Sequence, residues 1–232
     1  IPGKEFLAAL AVAYQVQCRL SDAAPVRARG FDHVTHGAIS AAAGAAKALR
    51  LDPPRIANAV AIAGTANNAL RVTRTGELSH WKGLAAPNAG AAGLQAAFLA
   101  MRGVTGPREM FEGVKGWMHG VAGPFEIDWE EENLERVNRT ILKKYNAEIH
   151  SQSAIEGMIG LMGEGGVTAA GIERIRIDIF DVAHLIIGGG AEGDKTVVHT
   201  KEEADHSLPY IAAVVALDGE VTPAQYTSER IV

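Results

Sequence analysis

The stretch "HGAISAAAGAAKALRLDPPRIANAVAIAGTA", His36 to Ala66, decides the fold. It contains two runs of Ala, Ile, Gly and Ser, His36 to Leu51 and Pro54 to Ala66, parted by Asp52 and a proline pair. Pro53 and Pro54 suit a helix start, where the absent N–H would have had no intrahelical partner. Both runs therefore read as helices, and side chains this small let helices approach closely. Upstream, Leu7, Leu10, Ala11, Tyr14 and Val16 recur near helical spacing from Lys4 to about Arg19, and Pro25 marks an end. Downstream, Asn88 to Arg102 reads as another helix, closed by Gly103, which tolerates positive φ. Residues 1–105 are thus expected to be all-α.

The composition changes at Gly106 and Pro107, and Gly, Pro and aromatic residues fill "GVKGWMHGVAGPFEIDW". Beyond it, "EENLERVNRTILKK" has acids early and bases late, the order the helix dipole favours, and predicts a helix. "IERIRIDIF", Ile172 to Phe180, alternates Ile175, Ile177 and Ile179 with Arg174, Arg176 and Asp178, the period of a half-buried strand. Lys195 to His199 reads as a short strand or loop, Leu208 to Leu217 as a helix, and Thr222 and Pro223 as a cap and first residue of one more. The expected organisation is an all-α part over 1–105, an α+β part over 106–200, and a return to helix over 201–232. The chain starts without Met and ends a few residues into a helix pattern, so it is expected to be a piece of a longer polypeptide.

Bulk composition narrows the function. With 232 residues, 47% of them hydrophobic, the chain can form one large or two small domains. The net charge is −5 and the 22 basic residues are scattered, which argues against nucleic acid as a partner. A single cysteine, Cys18, permits no internal disulfide and no multi-cysteine metal site, so a cytoplasmic location is expected. Arg19, Lys47, Arg55 and Arg102 interrupt the apolar runs before the roughly 18–20 residues that span a bilayer. No His-Glu-x-x-His spacing suggests a metal site, and "IIGGGAEGD" lacks the phosphate-loop pattern.

Four polar groupings interrupt the apolar pattern. In "GFDHVTHG", Asp32, His33 and His36 precede a helix, either as a capping segment with surface histidines or as proton-transfer groups. In "RTGELSHWKGLAAPNAG", Arg74 and Lys82 either belong to a solvated connection or face a pocket and hold carboxylates, with Thr75 and Asn88 as donors and Trp81 excluding water. "KKYNAEIHSQSAIEG" crowds Lys143, Lys144, Glu148, His150, Ser151 and Gln152 at the boundary of two helices, where Ser151 or Ser153 also suits a cap. "TKEEADHSLPY" places His206 after several acids; by itself it reads as a solvated helix start.

Four phrases in this order, "FDHVTHGAISAAAGAAKAL", "RTGELSHWKGLAAPNAGAAGLQAAFLAMRGVTGP", "KKYNAEIHSQSAIEG" and "ADHSLPYIAAVVALDG", resemble the MmgE/PrpD family over nearly the whole chain. That family includes 2-methylcitrate dehydratase, cis-aconitate decarboxylase and iminodisuccinate epimerase. The resemblance implies a large helical domain built from both ends of the chain and a smaller α+β lid inserted in it. It also implies an active site between the domains that uses no metal or organic cofactor. Lys82 matches the family lysine that faces the substrate, and Lys143 matches a lysine of the lid. His33, with Asp32, falls in a polar active-site segment; Glu148 stands where the family carries an acid or histidine, with His150 and Gln152 near it. The expected substrate is a small polycarboxylate such as 2-methylcitrate. The expected catalytic residues are Lys82, His33, Lys143 and His150; Asp32, Arg74, Thr75, Asn88, Glu148, Gln152 and His206 are expected to bind substrate. Dehydration is the first expectation, decarboxylation or epimerisation the second, and a silent remnant or partner subunit the third. A homodimer is expected. Family members are much longer and carry an N-terminal motif of the type "DFDDTH", which does not occur here.

Overall fold

Asp52 accepts a hydrogen bond from the Arg55 backbone N–H at 3.0 Å, and with the proline pair behind it a helix starts where the sequence asks for one. This is α3, Pro53–Ala66, in a computed structural model that describes residues 1–130, 133–190 and 193–231. The chain divides into two compact units, one of Ile1–Arg74 and Gly83–Thr140, the other of Thr75–Lys82 and Ile141–Val232.

The first unit holds α1, Gly3–Ala23, α2, Val34–Ala48, α3, and most of α4, Trp81–Met101. α2 packs on both α1 and α3. The small side chains set the spacing: a Cβ added to Gly44 would lie 2.8 Å from the Ala13 Cβ, and one on Gly93 of α4 would lie 2.7 Å from the Ala38 carbonyl oxygen of α2. Ala42, Ala46, Ala59, Ala63, Ala96, Ala97 and Ala100 form the buried seam these approaches allow. A second core gathers Leu20, Val26, Ile39, Met110 and Trp117, with Phe111 and Phe125 each edge-on to Trp117 at 5.8 Å. α4 closes at Gly103, whose φ is 89°.

The second unit holds α5, Gln152–Gly165, α6, Asp181–Ile187, α7, Lys201–Ala204, and α8, Leu208–Asp218, with α5 packed against α8. Ile155, Val198, Ile211, Val214, Val215 and Tyr226 form its core. The Ser207 hydroxyl caps α8 by accepting the Tyr210 N–H at 3.0 Å. Thr222 caps the short 3₁₀ turn Pro223–Tyr226 in a capping box with Gln225.

Several expectations change. α4 begins at Trp81 rather than Asn88, so Lys82 stands in its first turn and Pro87 lies inside the helix. In "EENLERVNRTILKK", Glu131 and Glu132 lie outside the described residues, and the rest forms only the 3₁₀ turn Arg136–Arg139. Leu134 takes φ 64°, and Ile141 and Leu142 stay largely exposed. A short amphipathic helix draws most of its stability from packing its apolar face; here the turn Arg136–Arg139 meets α1, with Arg136 paired to Asp22 at 2.7 Å, while Leu134, Ile141 and Leu142 stay exposed. "IERIRIDIF" forms no ladder; among the described residues the only β pairing is the isolated Phe31–Leu70 bridge. Alternation marks one side for burial, yet Ile175 is 40% exposed, because no neighbouring edge covers it. Lys195 to His199 is irregular, and Lys143 and Lys144 precede α5 without belonging to a helix. Among the described residues no helix is long and apolar enough to cross a membrane.

Candidate functional site

In the second unit, residues 75–82 are stitched to the start of α7. The Leu78 N–H donates to Glu203 Oε1 at 3.4 Å, the Leu78 carbonyl accepts from the Thr200 hydroxyl at 3.3 Å, and the Leu78 side chain is buried. Glu203 also accepts the His199 N–H at 2.7 Å, while Thr200 caps α7. These bonds place the first turn of α4 over the end of α7. Lys82 Nζ there lies 2.8 Å from His206 Nδ1 and 3.3 Å from Asp205 Oδ1. Lys201, one turn before Asp205 on the same helical path, pairs with its other oxygen at 2.5 Å. His206 Nδ1 also contacts Asp205 Oδ1.

This cluster opens on a cavity of about 440 Å³, lined by Lys82, Lys143, Tyr145, Asn146, Ala147, Lys201, Asp205, His206, Pro223 and Tyr226. Among its lining side chains the charges are three ammonium groups and one carboxylate. Burial opposes ionisation of Asp205, yet the His206 hydrogen bond and charge, with Lys82 and Lys201, hold its carboxyl well below the usual range. His206 is shifted down, chiefly by burial and by the Lys82 charge, against the upward pull of Asp205 and Glu148. The ring is therefore neutral near pH 7. Tyr226 stacks on Tyr210, and its buried hydroxyl has no hydrogen-bond partner among the described residues. Burial and the Asp205 charge push that phenol upward, so it remains a donor.

Glu148 and His150 stand beside this cluster. The Glu148 N–H donates to the Asp205 carbonyl at 2.9 Å, and its carboxylate accepts the His150 N–H at 2.6 Å, with His150 Nε2 3.8 Å from the other oxygen. The His150 ring sits edge-on to Phe180 at 5.1 Å. Gln152 uses both ends of its amide on the loop before it: Oε1 accepts from the Lys144 and Tyr145 N–H groups at 3.0 Å, and Nε2 donates to carbonyls of Tyr145, Ala147 and Glu148. Gln152 thereby shapes the segment that presents Lys143. Ser151 stands at the N-cap of α5, but its hydroxyl donates to the Glu148 carbonyl.

A separate polar cluster belongs to the first unit. Asp32 is fully buried, with Oδ2 2.6 Å from Arg74 Nε and Oδ1 2.8 Å from His33 Nδ1. Burial works against its charge, but His33 and Arg74 hold its carboxyl down to about 2. His33 is half exposed at the N-cap of α2. Asn88 lies on the exposed side of α4, and Thr75 is partly buried in the second unit. Of the residues expected from the sequence, Lys82, Lys143 and His206 share one cavity, and Asp32, His33 and Arg74 share the other cluster. Lys201, Asp205 and Tyr226 join the cavity without having been expected. Their only local signal is the four-residue spacing of Lys201 and Asp205. Among the described residues no group of three or more His, Cys, Asp or Glu side chains could hold a metal ion.

Comparison with known proteins adds the family context. Residues 2–130 match a family model described as the MmgE/PrpD N-terminal domain, and residues 145–232 match the MmgE/PrpD C-terminal domain. A 2-methylcitrate dehydratase of Escherichia coli (strain K12) is 28% identical over 235 residues, covering 96% of this chain and 47% of the relative. The 2-methylcitrate dehydratase of Cupriavidus necator is 27% identical over 234 residues, covering 96% and 46%. The cis-aconitate decarboxylase of Mus musculus is 26% identical over 251 residues, covering 99% and 48%. The chain spans about half the length of the curated relatives it matches.

Proposed function

The chain belongs to the MmgE/PrpD family, and from that premise we propose that its lysine-lined cavity binds a small polycarboxylate, 2-methylcitrate by first choice, in a hydro-lyase reaction without a cofactor. The observation that carries this reading is the charge imbalance: Lys82, Lys143 and Lys201 face Asp205 alone among the lining carboxylates, in a cavity of about 440 Å³. That volume falls in the range of about 300–1,000 Å³ typical of small-molecule sites. Breaking a bond at carbon beside a carboxylate drives negative charge onto that carboxylate. Ammonium groups already aimed at it stabilise the charge without reorganising when it forms. Lys82 is the principal cation and Lys143 the second. His33 and His150 remain candidates for proton transfer, and Asp32, Arg74, Thr75, Asn88, Glu148 and Gln152 for binding or shaping the site. An α+β lid including residues 106–200, a homodimer and a cytoplasmic location belong to the same proposal.

The mouse cis-aconitate decarboxylase among the relatives favours a second reading, decarboxylation in the same cationic pocket. Epimerisation, or a binding subunit without turnover, would also use it. Calorimetric titration with 2-methylcitrate and with its trimethyl ester separates the anion-binding claim from unspecific uptake. The acid is expected to bind and the ester is not. Product analysis by proton NMR then distinguishes loss of water from loss of carbon dioxide. Equal affinity for acid and ester would refute the proposal.

A further inference from the structure

Among the described residues, His206 has an arrangement at Nδ1 that no other histidine shares. Two groups of opposite hydrogen-bond character reach the same nitrogen: Lys82 Nζ at 2.8 Å, which can only donate, and the Asp205 carboxylate, which can only accept. Nδ1 can serve one of them at a time. When it is bare it accepts from Lys82 and the ring carries its proton on Nε2. When it is protonated it donates to Asp205 and Nε2 is bare. Nε2 has no protein hydrogen-bond partner among the described residues, and the ring lines the cavity. His150 has a carboxylate at 3.8 Å and an aromatic edge, and His33 has the Asp32 carboxylate. At neither ring does a lysine oppose the acid.

We propose that His206 is the proton-carrying group of the cavity, working through Nε2, and that Lys82 and Asp205 hold it between its two neutral tautomers. The identity of the proton donor and acceptor rests on the polycarboxylate reading above. For loss of water, bare Nε2 takes a proton from the carbon beside a carboxylate. The C–H electron pair becomes the double bond as the neighbouring C–O bond breaks. The departing hydroxide takes the proton back from Nε2–H, so water leaves and the ring is restored with no oxidant or reductant. Taking up the proton at Nε2 makes the ring doubly protonated, with Nδ1–H donating to Asp205, so the cycle starts only from the tautomer with bare Nε2 and a ring locked as Nε2–H would not start it. The charged and titratable groups around the ring are Asp205 and Lys201 of the α7 segment, Lys82 of α4, Glu148 of the loop before α5, and Tyr226. Before substrate binds, burial and Lys82 disfavour the charged ring, so the balance between the two neutral tautomers sets how often Nε2 is bare. Asp205 is a positioning residue in this scheme.

The test is the ring itself. With histidines labelled in ¹⁵N, long-range proton–nitrogen spectra near neutral pH give the protonation of both ring nitrogens, and His206 is assigned by its loss in His206→Gln. The expected wild-type signals are averages of the two neutral forms. Asp205→Asn should move them toward the Nε2–H form and Lys82→Met toward the Nδ1–H form, so each variant checks the other if one folds poorly. A single tautomer unmoved by both, or a charged ring at neutral pH, overturns the proposal. Citrate serves as the probe for the anion site. His206→Gln should weaken it by less than about threefold and Lys82→Met by about tenfold or more. A loss in His206→Gln as large as in Lys82→Met makes His206 an anion ligand and also overturns the proposal. Failure of the wild-type chain to bind citrate removes the polycarboxylate reading, while the spectra still decide the state of the ring.

Discussion

Lys82 has two tasks, and its substitution should separate them. Its side chain is 9% exposed and pairs with a carboxylate that is 11% exposed, so Lys82→Met leaves Asp205 with less compensation. Breaking a buried pair from one side costs up to about 3–5 kcal/mol, and the contacts of Asp205 with Lys201 and His206 should keep the loss near or below the lower figure. Urea unfolding should show that loss, and calorimetry should show binding of 2-methylcitrate weakened by about tenfold or more. Lys144 is the control: its ammonium pairs with Glu156 at the surface, so Lys144→Met should change neither measurement. Equal effects of the two substitutions would remove Lys82 from its place in the proposed site. A second residue-scale prediction concerns His36, buried against Trp117 and pushed by burial, and by the His33 charge, from 6.5 to about 4. The unfolded chain binds the proton more readily between those values, so this contribution is full above about pH 6.5 and is lost as pH falls toward 4. The loss is about 3 kcal/mol at most, and His36→Gln should flatten the dependence of the urea midpoint on pH across that window. An unchanged slope in the variant would show that other groups govern it. Lys82, Lys143 and His206 were singled out by recognisable phrases, and the three line one cavity. Asp205 and Lys201 were not: "TKEEADH" reads as a solvated helix start until Lys82, 123 residues earlier, is brought beside it.

At the scale of elements, the helices most legible in the sequence are those whose own residues set both ends. α3 has Asp52 and two prolines, and α4 closes at Gly103 with positive φ. The segments misread are those whose state depends on a neighbour, namely "EENLERVNRTILKK" and "IERIRIDIF", which have the right period but leave Leu134, Ile141, Leu142 and Ile175 exposed. Periodicity marks which face would be buried, while the presence of a partner is decided elsewhere in the chain. The close approach of α4 to α2 was foreshadowed by the small residues, and it gives a paired prediction. A Cβ on Gly93 would meet Ala41 Cβ at 2.6 Å and the Ala42 backbone nitrogen at 2.7 Å. The backbone of α2 would have to move, so Gly93→Ala should destabilise by about 1–3 kcal/mol. Gly90, one turn earlier in the same helix, has nothing within 4 Å of the added carbon. Gly90→Ala should therefore stabilise by about 0.5–1 kcal/mol through helix propensity alone. Thermal melts of the two variants should move in opposite directions; a shared sign would mean that α2 and α4 are not held this closely.

At the scale of the whole molecule, the apolar surface left uncovered makes a prediction about assembly. On α1, Phe6, Leu7 and Leu10 are 56%, 65% and 40% exposed, and on α4 Leu94, Phe98 and Leu99 are 45%, 44% and 38% exposed. Isolated exposed apolar residues are ordinary, but each of these helices shows several within two turns, and burying such surface is worth roughly 25 cal/mol per Å². Charged alternatives are nearly absent from these faces: in α4 the residues from Gly83 to Met101 include no Asp, Glu, Lys or Arg at all. A second copy of the chain presents the same apolar surface, and a two-fold contact would cover both copies at once. Light scattering at tens of micromolar should therefore give a mass of about twice the 24.4 kDa of the chain or more. Phe98→Glu, placed on an exposed face away from the Ala96, Ala97 and Ala100 seam, should lower that mass without changing the melting temperature of the dissociated chain. The melt must be compared at equal degree of association, because coupling to assembly otherwise adds a concentration-dependent term. A wild-type chain that stays at 24.4 kDa across the concentration range would mean that these faces tolerate water, and the expectation of a homodimer would fall with it.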